Sequence, residues 1–155
     1  MRPRMLLAGF GIAAVTAGFT TATAHAAAPG TVDGTLAALG YSCGFTAATS
    51  DTPPNTLTID QSTVVPDCGG GVQLTLGNSP TFTFDDTAGT ASAAEIDLSG
   101  GALGITCTYQ VSDATLTRSG TTRTYNGGPF TATKTAGSGL CPATTSVDTA
   151  TFDFH

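Results

Sequence analysis

An all-β fold is predicted for this chain: a single two-layer antiparallel β-sandwich, or a partly closed barrel, of about eight to ten short strands. Three observations predict it. Apolar and polar residues alternate in many short segments, which is the period of a half-buried strand. The polar partners are mostly Thr and Ser rather than Lys and Glu, and a stiff β-branched side chain suits a pleated surface better than a helix. Four cysteines, Cys43, Cys68, Cys107 and Cys141, follow an N-terminus of the export type, which points to a disulfide-braced fold.

The first element is a leader. Arg2 and Arg4 precede the apolar run from Met5 to Val15, and Thr23-Ala24-His25-Ala26 offers an Ala-x-Ala cleavage pattern. The apolar run is short and broken by glycine, whereas a membrane span needs about 20 mostly apolar residues. Residues 1–26 are therefore expected to be removed on secretion, leaving residues 27–155 as one extracellular β domain. A chain of that length buries roughly two-thirds of its unfolded surface.

Gly30 to Gly40 suits a short helix or an edge strand carrying Val32, Leu36, Ala37 and Leu39, with the strand ranked first. Tyr41, Cys43 and Phe45 alternate on one face of the next segment. Asp51-Thr52-Pro53-Pro54-Asn55 is a turn, since consecutive prolines donate nothing to a ladder. Leu57 and Ile59 alternate again, and Val64-Val65 leads to a break at Pro66. Gly69-Gly70-Gly71 precedes the strand Val72–Leu76. It lacks the Lys and the following helix of a phosphate loop, so it reads as a plain turn. Asn78-Ser79-Pro80 turns the chain before Thr81–Phe84, and Asp85–Gly89 turns it again. Ala91 to Leu98 fits a helical turn or a strand. Ile105, Cys107, Tyr109 and Val111 have strand period, as does Ala114–Arg118. Short strands are expected at 121–125 and 130–134, separated by a turn at Asn126-Gly127-Gly128-Pro129. Gly137-Ser138-Gly139 loops to Cys141-Pro142, and Val147, Ala150, Phe152 and Phe154 are set for burial in a last strand.

Charge excludes several functions. Without the leader only Arg118, Arg123 and Lys134 face eleven acids, a net charge of −8. Three scattered cations cannot neutralise a run of phosphates, so no nucleic-acid partner is expected. The same deficit removes attraction to an anionic membrane, and no membrane association is expected once the leader is gone. Dispersed acids read as solvated surface.

The cysteines are spaced too widely for a zinc site, and no metal or cofactor is expected. Four cysteines allow three pairings. Cys43–Cys68 and Cys107–Cys141 are preferred because each pair brackets a compact group of strands. Loops of these lengths would stabilise the fold by about 3–4 kcal/mol each.

Catalytic chemistry finds few candidates. A Ser-His-acid system needs an imidazole, but His25 leaves with the leader and His155 is the final residue, expected to fray. Asp85-Asp86 is the only adjacent carboxylate pair; in a turn both would face water. The chain is not expected to be an enzyme.

The segment from Gly104-Ile105-Thr106-Cys107-Thr108-Tyr109 through Gly139-Leu140-Cys141-Pro142 to Ala150-Thr151-Phe152-Asp153-Phe154 resembles small secreted β-rich actinobacterial proteins of unknown function. That resemblance implies a disulfide across the Cys-Pro corner and no known activity. In composition and class the chain is also similar to the apo-carriers of enediyne chromophores, which are Ig-like sandwiches.

Three functions remain. The first expectation is a secreted, non-enzymatic interaction or structural protein with an extracellular or cell-envelope partner. The second is a carrier with an apolar small molecule in a cleft lined by Phe82, Phe84, Tyr109, Tyr125 and Phe130. The third is a protease inhibitor presenting the braced loop Gly139-Leu140-Cys141-Pro142. A deep cleft would favour the carrier; a solid core with a protruding loop would favour the inhibitor.

Overall fold

The computed structural model describes residues 29–38 and 40–155; the expected leader and Leu39 lie outside the described residues. In chain order the strands are β1 (Gly30–Ala38), β2 (Tyr41–Thr49), β3 (Leu57–Thr58), β4 (Val65–Cys68), β5 (Gln73–Leu76), β6 (Thr81–Asp85), β7 (Thr90–Ala102), β8 (Ile105–Arg118), β9 (Thr124–Gly127), β10 (Phe130–Gly137) and β11 (Thr144–Phe154). A 3-10 turn, Gln61–Thr63, lies between β3 and β4. The fold is all-β, and the paired strands form one antiparallel sheet in the order β3-β6-β7-β8-β10-β11-β1-β2-β4.

Three pairs of strands each share a lane. β6 and β5 lie end to end along β7, at Phe84↔Ala91 and Leu76↔Leu98. β9 and β10 lie end to end between β8 and β11. β4 pairs with β2 through Cys43↔Cys68, while the end of β3 meets the far end of β2 at the bridge Thr49↔Ile59. The strands therefore occupy eight lanes that alternate in direction around the molecule. An antiparallel ring closes only on an even number.

Closure happens at one end. There β3 joins β6 at Leu57↔Phe82. It joins β2 through Ser50 N–H to Thr58 O (2.9 Å) and Asp60 N–H to Ala48 O (2.9 Å). At the opposite end no ladder joins β4 to β5 among the described residues. The result is a barrel closed at one end and open at the other.

The closed end has a solid aromatic core. Phe82 packs on Phe152 and Phe154 with ring centroids 5.3 and 5.9 Å apart. Phe84 meets Tyr125 and Phe154 at 5.2 and 5.4 Å, edge-on, an arrangement aromatic quadrupoles favour. Leu57, Ile59, Leu116 and Val32 fill the space around them.

The expected all-β antiparallel fold is observed, with eleven strands among the described residues, of which β7 and β8 are long, at 13 and 14 residues. Other expectations are decided or corrected. β1 lies inside the sheet between β11 and β2 rather than at an edge. Residues 91–98 are strand throughout, because Ala91, Ala93, Ile96 and Leu98 all face the core. Pro66 lies within β4 opposite Phe45; β4 has a free side, where a residue without N–H is tolerated. Asn126–Pro129 does not reverse the chain. Asn126 and Gly127 belong to β9, and only Gly128-Pro129 interrupts a lane that β10 resumes in the same direction.

Candidate functional site: an apolar cavity at the open end

The connections 69–72, 103–104 and 138–143 meet at the open end, where β1 ends and Gly40 leads into β2. Both disulfides brace it. Cys43–Cys68 ties β2 to β4, and Cys107–Cys141 ties the start of β8 to the connection between β10 and β11. The expected pairing is the observed one, and no cysteine is free.

Inside this end is a cavity of about 390 Å³, within the range of small-molecule sites. Its wall is built from inward positions of the surrounding lanes: Leu36, Leu74, Leu98, Ile105, Tyr109 and Val147 among them. Strand alternation explains the selection, because Leu98 and Gly100 share the inner face of β7, as Tyr109 and Cys107 share that of β8. Gly100 contributes space. A Cβ added there would touch only the Gln73 carbonyl oxygen, at 3.8 Å. Polar groups on the wall are few. Tyr109 donates a long hydrogen bond to the Pro142 carbonyl (3.3 Å), and the Thr145 hydroxyl is buried with no hydrogen-bond partner. Among the described residues no charged side chain lines the cavity. The Lys134 ammonium nearby donates to the carbonyl oxygens of Cys141 (3.3 Å) and Ser138 (3.5 Å).

The five aromatics expected to line a cleft divide sharply. Tyr109 lines the cavity. Phe82, Phe84 and Tyr125 belong to the aromatic core of the closed end. Phe130 borders a deeper void of about 20 Å³ between the cavity and that core. Sequence reasoning weighed aromatics and so missed the aliphatic wall. The signal that could have found it is the glycine pair Gly100-Gly101, which thins the end of an otherwise well-filled strand.

Elsewhere the candidate polar groups are tied up. His155 does not fray: it exchanges two backbone hydrogen bonds with Thr31, at 2.8 and 3.1 Å. Its imidazole Nε2 lies 3.2 Å from Asp33 and 3.9 Å from Asp153. Asp86 is not simply hydrated, since it pairs with Arg118 at 2.7 Å. Asp85 accepts from the Ala88 N–H (2.9 Å). Among the described residues no three His, Cys, Asp or Glu side chains gather as a metal site, and no helix is long and apolar enough to cross a membrane.

No protein-family model, curated protein or solved structure matches this chain.

Proposed function

We propose that this chain is an exported carrier of an uncharged, apolar small molecule, held in the cavity at the open end of the barrel. The observation that carries this reading is the contrast between the two ends. One is filled by interlocking aromatic rings, while the other keeps about 390 Å³ open behind a rim braced by both disulfides. The uncharged aliphatic wall favours hydrocarbon over any ionised group, whose desolvation it could not offset. Two disulfides are compatible with an oxidising extracellular compartment. Binding rather than catalysis is the proposed activity.

The braced loop favoured for an inhibitor is present, with Leu140 exposed. Pro142 turns inward onto the cavity wall, so the same loop also serves a carrier as its rim. A second reading, the interaction protein, draws on the free side of β4, where Val65 is exposed and a partner strand could add.

The test uses the oxidised protein and an uncharged fluorescent apolar probe, N-phenyl-1-naphthylamine. Wild type should bind it with enhanced, blue-shifted emission. Gly100→Ile, which sends a side chain into the cavity, should weaken binding by about tenfold or more. No binding by wild type, or equal binding by the variant, would overturn the carrier. Native mass spectrometry of protein from its own culture fluid would identify a resident ligand.

A further inference from the structure

Leu103 breaks two local rules at once. It is fully exposed, and it occupies left-handed backbone, with φ of 53° followed by Gly104 at 81°. Because Ala102 pairs with Ile105, the two form a two-residue hairpin turn with the positive φ values of type I′, which favours Asn-Gly or Asp-Gly. Leucine there is strained as well as wet. A position that violates local preference without a structural return is where function is sought.

Leu103 is not alone on this end. Leu140, in the connection after β10, is 77 % exposed, and Tyr41, at the start of β2, is 55 % exposed. Leu103 and Tyr41 also line the cavity, so the apolar rim is continuous with the apolar interior.

Charge is distributed to match. The connections 69–72, 103–104 and 138–143 contain no Asp, Glu, Lys or Arg; the charges at this end are Asp67, beside Cys68 in β4, and Lys134, whose ammonium is held by the Ser138 and Cys141 carbonyls. The opposite end carries Asp51, Asp85, Asp86 and Arg123 in its connections and strand ends. The open end is the less charged of the two, and its exposed tips are apolar.

We propose that the open end docks on an uncharged lipid surface, with Leu103 and Leu140 inserted, and that the apolar ligand passes between that surface and the cavity. This rests on reading the cavity as a ligand site. Attraction by charge is not involved: the acidic chain would be repelled by anionic lipid, so the surface is zwitterionic or neutral. Separate apolar tips around a mouth fit a fluid surface, and a hydrocarbon-like ligand is dissolved there already. Burial of one leucine changes a partition constant by about ten- to a hundredfold, so two give reversible docking.

The experiment pairs two readouts on the oxidised protein. Flotation with phosphatidylcholine vesicles measures docking, and N-phenyl-1-naphthylamine fluorescence without lipid measures the cavity. Wild type should float. Leu103→Asn and Leu140→Asp should each float at least about tenfold less, and Leu140→Asp, which is not on the cavity wall, should leave probe binding unchanged. Leu103→Asn should also raise the melting temperature, since Asn-Gly suits the turn, so a fall in docking cannot be blamed on unfolding. Failure of wild type to float, or equal flotation by both variants, overturns the docking. So does a mouth-to-mouth dimer in sedimentation that the variants dissociate. Loss of probe binding with flotation intact overturns the cavity reading alone.

Discussion

Gly34 and Phe45 face each other across β1 and β2, and the Phe45 ring lies over Gly34 where a Cβ would be. The ring covers backbone that glycine leaves bare, and glycine leaves the room the ring needs. Gly34→Ala should push Phe45 off its place against Phe152 and cost about 1–3 kcal/mol. A lower denaturant midpoint at unchanged slope would record it. Asp60 is a residue-scale case of a different kind. Its carboxylate accepts first from the Ser62 hydroxyl (2.7 Å) and then from the Ser62 N–H (2.9 Å). Both hold its pKa below the ordinary 3.8. A lowered folded value means the local stabilisation is present above the unfolded pKa and is lost as pH falls through the folded one. Ser62→Ala should therefore move the Asp60 titration back up toward 3.8, read by NMR; an unmoved midpoint would contradict the assignment.

Strands were legible wherever one face is buried, because alternation then has a physical cause. Ile105, Cys107, Tyr109 and Val111 read as a strand and are one. The breaks were less legible. Pro66 and Gly128-Pro129 stop hydrogen bonding locally, and sequence shows that loss without showing whether the chain reverses or continues along the same lane. The disulfides were legible from spacing; their clustering at one end was not, since it depends on how the hairpins stack around the ring. That clustering has a consequence for the connection 138–143, which is tied to β8 through Cys107–Cys141. Replacing both with alanine should cost about 2–4 kcal/mol. It should also weaken probe binding, because Pro142 and its Tyr109 contact belong to the cavity wall. Probe affinity equal to wild type in the folded double variant would show that the rim holds its shape without the bond.

At the scale of the whole molecule the barrel differs along its axis: closed and filled by aromatic rings at one end, open around an uncharged, mostly aliphatic wall at the other. Composition alone could not reveal this, because the same residues spread evenly would give the same counts and alternation. What separates them is the ring, which closes through the short β3 and leaves β4 and β5 unjoined. If stability resides at the closed end and binding at the open one, substitutions at the two ends should affect different measurements. Phe82→Ala, in a fully buried ring contact with Phe152 and Phe154, should cost about 3–5 kcal/mol and leave probe affinity within about twofold while the chain is folded. Gly100→Ile should do the reverse, removing affinity at little or no cost in stability, since a Cβ there makes only an ordinary contact with the Gln73 carbonyl oxygen and a β-branched residue suits a strand. Chemical denaturation and probe titration on the two variants decide the matter. If both variants lose stability and affinity together, the two ends form one cooperative core and the cavity is a packing defect rather than a site.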